Sequence, residues 1–226
     1  KIIEKGCRIA AHLFEAADED VTFLKGVFSV SGTDRQITLE EVAKVANLGH
    51  ILPANIEPGL NENAFYDPPN FAYSNGGHVV EIEIDQDTGT MEIQRYCMVD
   101  DIGTVINPMI VHAQIHGGIA QGLGQALTEN ATYECATGQI LSGSFLDYCI
   151  PRADDLIKFE GDLDETQPCT HNPLGAKGCG ESGAIGACAA LVSAALDALG
   201  AIGVTEIEMP RTPLRVWEAI QKAQDK

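Results

Sequence analysis

Residues 171–199 read HNPLGAKGCGESGAIGACAALVSAALDAL and change character near residue 181. The first part has the Pro and Gly pattern of a loop, whereas the second consists of small helix-forming residues. Glu181 lies at the junction and is the only charged residue between Cys179 and Leu196. Removal from water disfavours a charged carboxylate, whereas a helix N-terminus favours it. Such opposed influences can prepare a catalytic base. The alternative is a residue that only caps the helix.

The composition limits the classes of protein to consider. With 226 residues, 45% of them hydrophobic, the chain can bury a core as one large or two small domains. Its formal net charge of −19 excludes nucleic-acid binding, which needs clustered Lys and Arg. Nothing in the sequence resembles a signal peptide, and the longest charge-free apolar run, residues 183–196, is too short to span a bilayer. We therefore expect no transmembrane segment.

The seven cysteines are irregularly spaced, and the sequence contains no CxxC pair. This pattern predicts neither a disulfide framework nor a zinc or iron–sulfur site. Most of them are expected to be small core residues in a reducing, cytoplasmic compartment. Cys179 differs because it lies in the glycine-rich stretch 175–183, which we call the glycine loop. The chain begins inside a helical pattern and without Met, so we expect it to be part of a longer protein.

Hydrophobic periodicity predicts an α+β fold, with β-hairpins and helices packed on them. Helices are predicted at residues 1–17, 38–46, 108–127, 182–199 and 213–223. Thr38 is expected to cap the second helix, with Glu41 as its capping-box partner. Strands are predicted at residues 21–24, 27–30, 78–85, 90–99, 157–160 and 204–209, with a further hairpin at 133–141. Residues 49–75 predict an irregular connection, which would divide residues 1–226 into two subdomains, about 1–75 and 76–226.

The predicted helix at residues 108–127 (PMIVHAQIHGGIAQGLGQAL) contains four glycines. Each costs about 1 kcal/mol relative to Ala inside a helix, which indicates close approach of a ligand or of another helix. Gln114, Gln121 and Gln125 share one side of this helix. A row of amides beside glycines suits a polar ligand with many donors and acceptors. The alternative is tight helix–helix packing with solvated glutamines.

Two other motifs match known ligand-binding patterns only in part. Residues 178–183 match GxGxxG, but a dinucleotide fingerprint needs a buried strand directly before it, and residues 170–177 (THNPLGAK) cannot form one. A Rossmann site is therefore excluded, although the loop amides and Lys177 could still hold an anion. His112 and His116 have the i, i+4 spacing of metal ligands on a helix, but a third ligand is missing, so a polar helix face is the simpler interpretation.

Three motifs in combination resemble a known family: VDDIGTVINP at residues 99–108, QIHGGIAQGLG at 114–124 and KGCGESG at 177–183. Together they closely resemble the C-terminal molybdenum-cofactor-binding region of the molybdenum hydroxylases. These are the large subunits of xanthine dehydrogenase, aldehyde oxidase and aerobic carbon monoxide dehydrogenase. The resemblance extends from about Phe71 to the end of the chain and is nearest the bacterial carbon monoxide dehydrogenase-like branch.

This resemblance implies a molybdopterin-binding domain of the aldehyde oxidase/xanthine dehydrogenase type. Molybdenum would be held by the dithiolene of a pterin, usually the cytosine dinucleotide form in bacteria, and no protein residue would ligate the metal. Glu181 falls on the family's catalytic glutamate, the base that takes a proton from the water-derived oxygen added to an electron-poor carbon of a small substrate. The implied cofactor contacts are Gln114, Gly117, Gly118, Gln121, Gly122 and Gly124 on the helix and Lys177, Gly178, Cys179 and Gly180 in the loop.

The resemblance also implies partners. Electrons would leave through iron–sulfur clusters to FAD, carried by an iron–sulfur subunit and an FAD subunit. The family's large subunit is several times longer than this chain, so the remainder of the molybdenum subunit is a third partner and the isolated chain is expected to be inactive. Ala113 departs from the Gly that family members commonly carry. Two alternatives remain: a non-catalytic homologue acting as a structural or assembly subunit, and a nucleotide- or anion-binding module.

Overall fold

The computed structural model describes residues 1–225. The chain forms two compact units, Lys1–Asp67 and a C-terminal unit that begins at Pro68. The proline-rich connection predicted a division near residue 75. Residues 47–74 consist of turns, bends, irregular backbone and one isolated bridge residue, as the proline-rich composition predicted.

The N-terminal unit packs two helices on a three-stranded antiparallel sheet in the order β1-β2-β3. Its elements are α1 (Ile2–Phe14), β1 (Val21–Leu24), β2 (Val27–Val30), β3 (Gln36–Thr38) and α2 (Leu39–Ala46). The predicted capping box is confirmed, because the Glu41 amide donates to Thr38 Oγ1 and the Thr38 amide donates to the Glu41 carboxylate. Ile9 and Phe28 are fully buried in its core.

The C-terminal unit contains a sheet in the order β4-β5-β6 and three helices. Its elements are β4 (Asn75–Ile84), β5 (Met91–Asp101), α3 (Pro108–Leu123), β6 (Glu160–Asp164), α4 (Ser182–Gly200) and α5 (Pro213–Gln224). Strands β4 and β5 form an antiparallel pair with a bulge at Glu81 and Ile82, whereas β6 runs parallel to β5. The main core joins β5 residues such as Tyr96 to buried residues of α3 and α4.

Glycines allow α3 and α4 to pack closely. A Cβ atom at Gly118 would lie 2.9 Å from the backbone nitrogen of Ala184, and one at Gly122 would lie 2.7 Å from Ala187 Cβ. A Cβ atom at Gly183 would overlap the carbonyl oxygen of Ile115. For these positions the structure favours the packing interpretation of the helix glycines.

Several predicted elements differ in the structure. Residues 204–209 form no strand within the part of the chain that the structure describes; Val204 and Ile207 pack with α5, which explains the alternating pattern without strand pairing. The hairpin at 133–141 is reduced to one bridge between Tyr133 and Ile140. The strand predicted at 157–160 is displaced to β6, because the apolar residues before it pack into the core. Helix α3 ends at Leu123 and is followed by a π turn, Gly124–Thr128.

Helix α4 is longer than the apolar run on which the membrane prediction rested. It has 19 residues with a mean hydropathy of 1.6, which is long and apolar enough to cross a membrane by length and composition. The helices of protein cores meet the same test. Helix α4 packs on α3 and β4, and 28% of its apolar stretch is buried within the described chain. Its buried residues are Gly183, Ala187, Leu191, Ala195 and Leu199.

Candidate active site

The loop before α4 is attached to the end of β5 by backbone hydrogen bonds. The Lys177 amide donates to the carbonyl oxygen of Ile102 at 2.7 Å, and the Thr104 amide donates to that of Gly175 at 2.9 Å. Gly178 forms a further bridge to Tyr73. The turn that follows β5 therefore determines where the glycine loop lies.

A buried ion pair adds to this attachment. The Lys177 ammonium donates to Asp101 Oδ2 at 2.6 Å, and both side chains are mostly buried. The hydrogen bond from Lys177, with a second from the Gly103 amide, holds the pKa of Asp101 below its usual range. This ion pair holds the loop that carries Lys177 at the end of β5.

Glu181 occupies the N-cap position of α4, but its side chain accepts no hydrogen bond from the first turn of the described helix. Ser182 instead donates its hydroxyl to the carbonyl oxygen of Cys179 at 2.9 Å. Glu181 is exposed. Its carboxylate therefore does not serve as a cap and is available to another group.

Helices α3 and α4 pack on each other, and each also carries exposed residues near the start of α4. On α4, Gly186 lies against the sheet residue His78, whereas Glu181 is exposed and Ile185 is 70% exposed. On α3, the side chains of Ile115 and Ile119 are buried in the core. We use the name outer helix face for five exposed residues of the two helices: Gln114, Gly117 and Gln121 of α3 and Glu181 and Ile185 of α4.

The predicted cofactor contacts fall into two groups. Gly117, Gly178 and Gly180 are exposed, and a Cβ atom at any of them would meet no other atom of the described chain within 4 Å. Gln114 and Gln121 are also exposed. Gly118, Gly122 and Gly124 are buried, the first two against α4 and the third against Glu129 and Pro151.

Cys179 is half-buried within the loop. Burial raises the pKa of its thiol, and the negative charge of Asp100 raises it further. The residue is therefore a thiol at neutral pH and a weak nucleophile.

A buried polar row, not anticipated from the sequence, lies beneath the loop. His78 Nδ1 lies 2.7 Å from the Tyr96 hydroxyl, and His78 Nε2 lies 3.5 Å from Asp100 Oδ2. The side chains of His78 and Asp100 are only 3% and 2% exposed, and Tyr96 is fully buried. Burial, and then Asp100, raises the pKa of Tyr96. The available signal was the register of β5, in which Asp100 falls on the same inward side as Tyr96.

The two histidines of α3 lie side by side, with ring centroids 5.9 Å apart, and the His116 ring meets Phe159 edge-on. Burial, and then His112, lowers the pKa of His116. Within residues 1–225 no group of three His, Cys, Asp or Glu side chains has a metal-binding arrangement. The His116 ring thus packs between Phe159 and His112.

Comparison with known proteins gives the family. A family model described as a molybdopterin cofactor-binding domain matches residues 1–157. The carbon monoxide dehydrogenase large chain of Hydrogenophaga pseudoflava is 38% identical over 98% of this chain and 27% of its own length. The nicotine 6-hydroxylase large subunit of Paenarthrobacter nicotinovorans is 38% identical over 96% of this chain and also 27% of its own length. The chain thus spans only a minor part of these relatives.

Solved structures agree over almost the whole chain. The carbon monoxide-reduced state of Cu,Mo-CO dehydrogenase matches with a TM-score of 0.87 and 35% identity, over 99% of this chain and 28% of that chain. The quinoline 2-oxidoreductase of Pseudomonas putida 86 matches with a TM-score of 0.84 and 38% identity, over 98% and 28%. The predicted α+β fold class is confirmed. The chain belongs to the molybdopterin cofactor-binding domain family, in the large-subunit region of the molybdenum hydroxylases and on their carbon monoxide dehydrogenase-like branch.

Proposed function

We propose that this chain forms one side of the molybdopterin site of a molybdenum hydroxylase and supplies Glu181 as its catalytic base. The observation that carries the proposal is that the Glu181 side chain is exposed and not used as a cap, at the start of α4, where that helix packs on α3 at Gly118.

The residues present fit a pterin cofactor. The exposed amides of Gln114 and Gln121 offer donors and acceptors for a polar heterocycle. Gly117, Gly178 and Gly180 leave open space where a side chain would stand, so a flat ligand could approach the backbone closely. We assign direct contacts to these five residues, whereas Gly118, Gly122 and Gly124 act through packing. Lys177 and Cys179 shape the loop.

The bound cofactor would supply the two-electron acceptor for oxidation of the substrate. Glu181 would accept, at its carboxylate, the proton of the water-derived oxygen that is added to the substrate carbon. Ser182, through its hydrogen bond to Cys179, would hold the junction between loop and helix in place.

The substrate class is proposed from the relatives. Their names specify carbon monoxide, nicotine and quinoline, so small molecules with an electron-poor carbon are the first to test. We further propose the cytosine dinucleotide form of the pterin, an iron–sulfur subunit and an FAD subunit as electron-transfer partners, and a cytoplasmic location. The remainder of the large subunit would complete the cofactor site and the substrate pocket.

Elemental analysis and pterin detection on the native assembly, isolated through this chain from cells supplied with molybdate, test the proposal. Molybdenum, iron and pterin in comparable amounts are expected. An assembly that contains none of them would contradict the proposal and would favour the non-catalytic homologue.

A further inference from the structure

Arg211 is a buried cation without an apparent counter-charge. It lies before α5 and is only 3% exposed, and its backbone amide donates to the carbonyl oxygen of Ala126 at 2.7 Å. Two of its guanidinium nitrogens, Nε and Nη1, are buried and have no hydrogen-bond partner among the described residues. Burial lowers the pKa of this guanidinium from its usual value.

No carboxylate of the described chain lies within ion-pair distance of Arg211, and Cys188 acts only in part against the effect of burial on its pKa. None of the ion pairs within residues 1–225 involves Arg211, although the chain carries a net charge of −19. The nearby Arg215 differs, because its guanidinium donates to the carbonyl oxygens of Met209 and Pro210. A buried ion without a partner is strongly unfavourable, so a protein that retains one normally pairs it.

We propose that Arg211 is the receptor of an oxyanion that comes from outside this chain. The guanidinium is the cation that best matches the planar oxygens of a carboxylate or the oxygens of a phosphate, through paired hydrogen bonds. A carboxylate would come from the remainder of the enzyme, whereas a phosphate would come from the cofactor. This inference goes beyond the proposed base and does not require Glu181 to be catalytic.

Arg211 belongs to a segment that contacts α4. Cys188 of α4 contacts Met209, two residues before Arg211, through a sulfur–sulfur distance of 3.4 Å. Cys188 follows Glu181 by two helical turns, which corresponds to about 10 Å along α4. The segment that carries Arg211 therefore lies beside α4 at a point about two turns beyond Glu181, on the helix that begins at the candidate base.

The sign of a change in thermal stability tests the proposal. In the complete large subunit within its native assembly, Arg211→Met replaces the guanidinium by an apolar chain of similar length. If an oxyanion pairs with Arg211, the variant leaves that group unpaired, and we expect the melting temperature to fall by about 2–4 °C or more. If Arg211 has no partner, the variant removes an uncompensated charge, and an unchanged or higher melting temperature would overturn the proposal.

Two further variants distinguish the effect of losing the Arg211 charge from the effect of changing the local packing. Arg215→Met is the matched control, because it removes a guanidinium from the same segment whose partners are backbone carbonyls, and a smaller change is expected. Arg211→Lys keeps the charge and should restore part of the stability. If Arg211→Met does not accumulate, Arg211→Lys is tested alone: recovery of the assembly supports the proposal, and failure of both variants overturns it.

To identify the source of the oxyanion, the melting temperatures of the wild type and of Arg211→Met are compared again, with the assembly isolated from cells that cannot make the pterin. A loss of stability seen only with cofactor present, together with a lower pterin content in Arg211→Met, indicates a phosphate of the cofactor. A loss that persists without cofactor indicates a carboxylate of the protein. Both results are independent of turnover, so they are distinguishable from a failure of the proposed catalytic role of Glu181.

Discussion

Lys177 donates its ammonium to Asp101 at 2.6 Å, and this ion pair ties the loop before Glu181 to the end of β5. The two residues are 76 positions apart in sequence. Backbone hydrogen bonds from Lys177 to Ile102 and from Thr104 to Gly175 reinforce the attachment. The end of β5 thus acts as the support on which the candidate base is presented.

The ion pair predicts an acid-dependent loss of stability. The pKa of Asp101 is lowered in the folded chain relative to about 3.9 for an unfolded aspartate. The stabilisation that the ionised Asp101 carboxylate gives the folded chain is therefore fully present above about pH 3.9, the unfolded pKa. It is lost as the pH falls through the lowered folded pKa. We expect Asp101→Asn to be less stable at neutral pH, with a difference that shrinks in acid, measured as melting temperature against pH. The exposed Asp34→Asn is the control, and a difference that grows in acid would contradict this account.

Cys179 should react slowly with alkylating reagents. Burial and Asp100 raise the pKa of its thiol and so lower its thiolate fraction. Its sulfur is also less accessible than those of the exposed Cys135 and Cys149. We expect mass spectrometry to detect iodoacetamide labelling of Cys179 last of these three. Asp100→Asn removes a charge that raises the thiol pKa and should accelerate labelling of Cys179, provided circular dichroism shows an unchanged fold. Equal rates at all three cysteines would refute the assigned environment.

Neighbouring glycines of α3 should respond in opposite ways. Gly118→Ala places a methyl group against the backbone of Ala184 and should lower the free energy of unfolding by about 1–3 kcal/mol. Gly117→Ala faces open space and should raise it by up to about 1 kcal/mol through helix propensity. Denaturant unfolding followed by the fluorescence of Trp217, the one tryptophan, measures both.

The same pair separates packing from cofactor binding. In the complete enzyme Gly117→Ala should reduce molybdenum per subunit in spite of its higher stability, because its methyl group would project into the space proposed for the pterin. Full molybdenum content in Gly117→Ala would remove Gly117 from the proposed contacts.

The hydroxyl of Tyr96 should contribute more to stability than that of Tyr148. Tyr96→Phe leaves His78 Nδ1 without its partner in a buried site, which costs about 1–3 kcal/mol. Tyr148→Phe removes a hydrogen bond to Glu129 Oε2 of 2.6 Å at a less buried position, and about 0.5–1.5 kcal/mol is expected. The comparison uses the same fluorescence measurement. Equal losses would argue against a stabilising polar row beneath the loop.

Local sequence patterns predicted the elements that depend on neighbouring residues. Strands β4 and β5 followed from alternation, and the Thr38 cap followed from the spacing to Glu41. Partners distant in sequence could not be predicted in this way. The parallel pairing of β6 with β5, the Lys177–Asp101 ion pair and the failure of residues 204–209 to pair as a strand all depend on chain segments that no local pattern connects.

For the candidate site, too, local motifs predicted some features, whereas others depend on packing between distant segments. The motif around Glu181 identified the loop and the helix junction, and the spacing of Gln114 and Gln121 identified their exposed side. The sequence could not separate Gly117 from Gly118, because a shift of one residue turns a helical position by about 100° and so from the open side toward α4. The His78–Asp100 contact likewise requires the register between two strands.

The most direct measurement is the turnover of Glu181→Gln in the complete assembly. Substrate is first found by screening carbon monoxide and N-heteroaromatic compounds for reduction of an artificial electron acceptor by the wild-type enzyme. Glutamine keeps the size of the side chain but cannot act as the base, so the account predicts unchanged molybdenum and pterin content with turnover lowered by about 10²-fold or more. Near-normal turnover by a cofactor-loaded Glu181→Gln enzyme would contradict the assignment of Glu181 as the base.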